Sequence, residues 1–200
     1  MKQYETISIM LVLMLCLLCI NNTYAQTKNI TYKSSSDINV SELAGKIAPG
    51  FTLKSLDNEQ ISLESYKGKI VILSFWHINC GQCWDEIPSL NRIAKKYKGE
   101  VVILALTENS NSELEKKLEL SDKGYLIKGK KDKRYINYIV VPNAKELVHQ
   151  YEVQYFPTNF IIDQQGFIVK ALPYIKSFSD ETGDFVSNQV LDEQISALIH

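Results

Sequence analysis

The stretch SFWHINCGQCWDEIP, Ser74 to Pro88, sets two cysteines, Cys80 and Cys83, between an apolar run and a helical pattern. The run before them, KIVILSFW, is continuous and rich in β-formers, as in a strand buried on both faces. The stretch after them, CWDEIPSLNRIAKKYKG, repeats Ile87, Leu90, Ile93, Ala94 and Tyr97 at helical spacing, and Gly99 is placed to end the helix. Cys80 therefore falls at a strand-to-helix junction. The first turn of a helix presents N–H groups without intrahelical partners and the positive end of the dipole, so a thiolate there is stabilised. Such placement brings a cysteine from about 8.5 into the range of roughly 3.5–7.5. Cys83 lies one turn below and reaches back to close a disulfide. The spacing makes an asymmetric pair, with Cys80 the exposed attacking sulfur and Cys83 the shielded one that resolves a mixed disulfide.

Working outward, FTLKSLDNEQISL alternates apolar and polar residues around an Asp57–Glu59 turn, as a hairpin does. EVVILALTE reads as a second buried strand and NSELEKKLEL as a short charged helix. YINYIVV reads as a strand in an otherwise obscure segment, 121–141. NAKELVHQYEV is a helix with Ala144, Leu147, Val148 and Tyr151 on its apolar face, and TNFIIDQQGFIVKAL a hairpin about an Asp163–Gly166 turn. NQVLDEQISALI closes the chain as a helix with Val190, Leu191, Ile195 and Leu198 inward. Buried strands separated by helices imply an α/β fold, a central sheet with helices on both faces. No helix start carries a glycine-rich phosphate loop.

A formal net charge of −1, from 22 basic and 23 acidic residues in 200, offers no field for nucleic acid or an anionic membrane. The one basic cluster, Lys128 to Arg134, lacks interleaved aromatics and reads as a solvated loop. Residues 1–25 have the form of a secretory signal: Lys2, an apolar run from Ile7 to Ile20, and Thr23-Tyr24-Ala25 as a cleavage pattern. The run is short for a hydrocarbon core of about 30 Å, although an uncleaved anchor is the alternative. A lipid-anchored Cys16 or Cys19 is disfavoured by the leucine before each. Residues 26–45 form a polar lead-in, and 46–200 the folded domain. Loss of the leader reduces four cysteines to two, Cys80 and Cys83, in an oxidising compartment. A bond closing so short a loop removes little chain entropy, which points to chemistry rather than scaffolding.

Metal binding is the competing use of the pair. Structural zinc needs four ligands, and C-x-x-C supplies two, with His77 a third and His149 or His200 distant fourths. Copper handling through both thiolates and a histidine is chemically reasonable, because thiolates favour Cu(I). Otherwise His77 lines the rim of the site as a polar side chain, and Trp76 and Trp84 pack, Trp76 also being close enough to touch a substrate.

These residues resemble the thioredoxin superfamily, and within it the exported TlpA/ResA-like thiol–disulfide oxidoreductases. The resemblance covers Ile47 to Ile199 and rests on APGFTLKSLDNEQISLESYKGKIVILSFW, on CGQCWDEIP with Glu86 and Pro88, and on YEVQYFPTNFIIDQQGFIV. It implies a thioredoxin-like fold, a central mixed sheet flanked by helices on both faces with an N-terminal β-hairpin extension. It implies that Pro157 is a cis-proline beside the active disulfide and that the Phe156 backbone pairs with a substrate chain as an added strand. It suggests that Glu108 takes the Cys83 proton or tunes the pair, the alternative being a solvated loop carboxylate. It implies no cofactor beyond the disulfide itself. The expected partners are disulfide-containing clients such as apocytochrome c and a membrane electron donor, in a periplasmic setting, soluble or tethered. Three departures stand out: Asn79 in place of a second Trp, Gln82 in place of Pro, and Ser74 where cytosolic thioredoxins carry a buried Asp. Peroxide-reducing relatives usually place Thr three residues before the reactive cysteine, where this chain has His77.

Overall fold

The computed structural model describes residues 43–121, 124–128, 135–172, 178–179, 185–186 and 189–199. The expected leader, residues 26–42 of the lead-in, His200, and the basic cluster beyond Lys128 lie outside the described residues.

Leu43 is buried. Residues 45–48 run alongside the later hairpin: Gly45 N–H donates to Ile168 O, Ile168 N–H to Lys46 O, and Ala48 N–H to Gly166 O. The N-terminal hairpin pairs β1 (Thr52–Lys54) with β2 (Gln60–Ser62). Its turn carries Asn58 at φ 64°, a left-handed conformation that asparagine tolerates. A 3-10 turn, Leu63–Tyr66, leads to β3 (Ile70–Phe75), and α1 (Gly81–Lys96) and β4 (Val101–Leu106) complete a strand–helix–strand unit with parallel strands. There follow α2 (Asn111–Lys117), β5 (Leu118–Ser121), β6 (Gly124–Ile127), β7 (Tyr135–Ile136), β8 (Ile139–Val141) and α3 (Lys145–Gln150). The chain continues through β9 (Thr158–Ile162), β10 (Ile168–Leu172), the short pair β11 (Phe178–Ser179) and β12 (Phe185–Val186), and α4 (Gln189–Ile199).

The main sheet has the order β10-β9-β3-β4-β8. β4 is parallel to β3 and β8, whereas β9 is antiparallel to β3 and β10, so the sheet is mixed as expected. Cover on both faces explains why β3 is buried throughout, Ser74 being its one polar residue. Val71, Leu73 and Phe75 pack with Ala144, Leu147, Val148 and Tyr151 around α3. Ile70 and Ile72 pack with Leu90 and Ile93 of α1 and Leu191 and Ile195 of α4. Each such side chain, fully buried, stabilises the fold by roughly 1.5–3 kcal/mol.

Two expected elements differ. The helix read over NSELEKKLEL ends at Lys117, because Leu118 turns inward to pair with Ile127 and both are buried. The strand read over YINYIVV breaks in two. Tyr135–Ile136 pairs with β6 and Ile139–Val141 with β4. The side chain of Asn91 on α1 holds the break, accepting the Asn137 N–H and donating to Tyr135 O. β5, β6 and β7 thereby form a separate three-stranded sheet. Gly124 is required there: at φ +107°, a Cβ would stand 2.1 Å from Ile136 O.

Candidate active site

β3 ends at Phe75, and Trp76 to Asn79 form the turn that delivers Cys80 to the N-cap of α1. Trp76 N–H still donates to Leu106 O, extending the sheet by one residue, and Cys80 N–H closes the turn on His77 O at 2.9 Å. Cys80 has extended backbone, and its Sγ accepts the Cys83 N–H at 3.1 Å. That contact satisfies one of the unpaired first-turn N–H groups with sulfur, the contact that would also favour a thiolate. Cys80 and Cys83 are joined as a disulfide. Cys80 is half-buried and Cys83 buried, so one sulfur faces outward and the other is shielded.

Cys83 sits in an apolar cluster with Trp76, Ile78, Trp84 and Ile87, against which Leu56, Phe156 and Tyr138 pack. Trp76 and Trp84 meet edge to face with centroids 5.3 Å apart, fixing the floor of the site. The Phe156–Pro157 bond is cis. Pro157 is buried, and the half-buried Phe156 stacks on His77 with centroids 6.1 Å apart. The structure thus brings together Cys80, Cys83, Trp76, His77 and Phe156. Leu56, from the tip of the N-terminal hairpin, joins them because Leu56 N–H bonds to Val140 O of β8.

Glu108 is half-buried in the loop after β4. The neighbouring Asn109 is the residue of that loop whose side chain grips the cysteine turn. Its Oδ1 accepts the Ile78 N–H at 2.9 Å and the Thr107 hydroxyl at 2.9 Å, and its Nδ2 lies 3.2 Å from His77 Nε2. Sequence reasoning passed over Asn109, although Thr-x-Asn at a strand end is a pattern that bonds to its own backbone.

A second residue has more weight than the sequence suggested. Glu86 is only 1% exposed and accepts from Asn159 Nδ2 at 3.1 and 3.4 Å. Burial, then the nearby Glu86 charge, push the Tyr138 hydroxyl well above its ordinary value. The signal was available: Glu86 falls between Cys83 and Leu90 on the helix face that carries Ile87 and Ile93. Among the described residues no group of three or more His, Cys, Asp or Glu side chains is arranged to hold a metal ion. No helix among them is long and apolar enough to cross a membrane.

The AhpC/TSA family model matches residues 44–171, which contain every element of this site. The chain belongs to the AhpC/TSA family. Its relatives there include the thioredoxin-like protein YneN of Bacillus subtilis, 29% identical over 68% of this chain and 75% of that one. They also include the thiol-disulfide oxidoreductase ResA of Bacillus thuringiensis, 30% identical over 64% and 68%. Family membership with these relatives makes the chain a thiol–disulfide oxidoreductase. Among solved structures, a thioredoxin-family thiol:disulfide interchange protein of Chlorobium tepidum superposes with a TM-score of 0.55 at 18% identity, covering 77% of this chain and 96% of that one. A mitochondrial 2-Cys peroxiredoxin of Plasmodium falciparum superposes at 0.58 and 23%, covering 79% and 95%. The fold is thus common to proteins of both chemistries.

Proposed function

We propose that this protein is exported and reduces disulfides in client proteins through a mixed disulfide on Cys80. The Cys80 thiolate attacks one sulfur of the client disulfide; that bond forms as the client S–S bond breaks and a client thiolate leaves. Cys83, deprotonated, then attacks Cys80 Sγ, releasing the second client sulfur as thiolate and leaving the Cys80–Cys83 disulfide. Two electrons pass to the client. A membrane electron donor returns the pair to the dithiol, since an oxidising compartment offers no thiol pool. Apocytochrome c is a client of the right kind, the setting is periplasmic, and no cofactor is needed beyond the disulfide.

The observation that carries this reading is the division of labour at the helix start, with Cys80 capping α1 at the surface and Cys83 buried behind it. Trp76 and Phe156 supply apolar contact beside Cys80, and the Phe156–Pro157 backbone offers an edge for an extended client chain. Pro157 orders that edge. Glu108 serves as a further acceptor for the Cys83 proton. The presence of His77 three residues before Cys80, where a peroxidase usually has Thr, favours disulfide exchange over peroxide reduction.

Insulin reduction by the wild type, Cys80→Ala and Cys83→Ala tests the assignment. The expected result is turnover in the wild type alone, with Cys83→Ala accumulating a covalent insulin adduct that dithiothreitol releases. Equal turnover by all three proteins would falsify it.

A further inference from the structure

His77 is held on several sides at once. Its carbonyl accepts the Cys80 N–H at 2.9 Å, and its ring lies against Phe156 with the planes 26° apart. Its Nε2 faces Asn109 Nδ2 at 3.2 Å. The direction of that bond is set from the far side of the amide. Asn109 Oδ1 is taken by the Ile78 N–H and the Thr107 hydroxyl, so the NH2 end must face the ring. A neutral imidazole accepts at one nitrogen only. The Asn79 N–H that approaches Nδ1 at 3.1 Å is exposed and has water as an alternative, whereas Asn109 is 4% exposed. The buried Asn109 contact at Nε2 is therefore the one that fixes the ring. Asn109 is itself anchored, since its backbone carbonyl accepts the Asn143 N–H and its own N–H bonds to Thr107 Oγ1. One imidazole thus links three separate segments: the turn that presents Cys80, the loop after β4, and the Phe156–Pro157 loop.

We infer that His77 is a positioning residue for client capture, resting on the oxidoreductase reading above. Its ring, locked by Asn109, holds the Phe156 ring and so keeps the adjoining backbone in place beside Cys80 before any sulfur exchange. Without the ring, Phe156 swings within its half-open surroundings, and a client chain must order that edge as it binds. The cost falls on the binding of peptide clients and spares the sulfur chemistry. A small aromatic disulfide has no backbone to pair and does not use the edge.

The test compares insulin with 5,5′-dithiobis(2-nitrobenzoate) as substrates of the full chain. His77→Ala raises the KM for insulin about five- to tenfold, the scale of one lost aromatic pair, with kcat within about twofold. The rate with the small disulfide changes by less than about twofold, because its transition state makes no contact with that edge. His77→Phe keeps a ring against Phe156 without the Asn109 bond and restores most of the insulin KM, whereas His77→Gln keeps only an acceptor for Asn109 and does not. If His77→Ala melts early, the Phe and Gln variants decide the matter between them. An unchanged KM, an equal loss on both substrates, or rescue by Gln in place of Phe overturns the inference. A wild type that fails to reduce insulin in a Cys80-dependent way sinks the oxidoreductase reading itself, and the role of His77 with it.

Discussion

Two neighbouring parallel strands, β3 and β4, each run into a helix, and the two junctions use one capping geometry with different atoms. At the start of α2, Ser110 Oγ accepts the Glu113 N–H, while the Glu113 carboxylate accepts the Ser110 N–H at 2.8 Å, a reciprocal capping box. At the start of α1, Cys80 Sγ accepts the Cys83 N–H, and the residue at the third helical position carries a second sulfur, bonded to the first, in place of a carboxylate. The positions match residue for residue. What differs is whether the capping atom can form a bond that later breaks. The carboxyl of Glu113 also shows what the local field does to an anion. It is held below the ordinary glutamate value of 4.5, first by the Ser110 backbone N–H and then by the Ser110 hydroxyl. An anionic sulfur at the other junction meets the same kind of donor.

The comparison breaks most sharply at Cys80→Ser. Serine caps a helix at least as well as sulfur, so the stability of the reduced variant matches that of the reduced wild type to within about 1 kcal/mol. Its insulin turnover nonetheless falls to background. A variant that kept turnover would show that the cap position and the reacting position are separate. The reverse change, Ser110→Ala, removes a cap with no redox duty. It costs about 1 kcal/mol, lowering the melting temperature by about 2–4 °C in a domain of this size, and leaves insulin turnover unchanged.

The smallest effect is electrostatic. Because the folded-state value of Glu113 is depressed, its contribution is present above the ordinary glutamate value and is lost as the pH falls through the folded one. Thermal melts of Glu113→Gln against wild type should therefore differ at neutral pH and converge as the pH drops below 4.5. A gap that widens on acidification would mean that α2 is capped by some other contact. Glu113 is fully exposed, so the difference is small.

Much of this fold was legible in the sequence because its core strands are uniform. Ile70 to Phe75 has a single reading, and so do the hairpin turns marked by Asn58 and Gly166. The insertion between α2 and β8 was not legible, for a physical reason. Leu118 to Val141 alternates too briefly for a period to show, and its break at Asn137 is imposed by Asn91 on a helix 46 residues earlier. The site divided similarly. Cys80 and Cys83 declare themselves by spacing, and Phe156-Pro157 by resemblance. Asn109 does not, because its partners, His77 and Ile78, are 32 and 31 residues away. An isolated amide in a polar loop has no local pattern that announces them.

The residues just ahead of the N-terminal hairpin do more than join it to what precedes. Gly45 to Ala48 take up outward-facing hydrogen-bonding groups at the start of β10, an edge strand of the main sheet, with Ile47 and Phe167 in register. Exposed Phe167 and Val169 lie there, so a bare ladder at this rim would invite strands of other molecules to stack on it. A short, irregular cover of four residues occupies the start of that rim, and a chain trimmed to begin at Pro49 is expected to aggregate more readily, which light scattering would check.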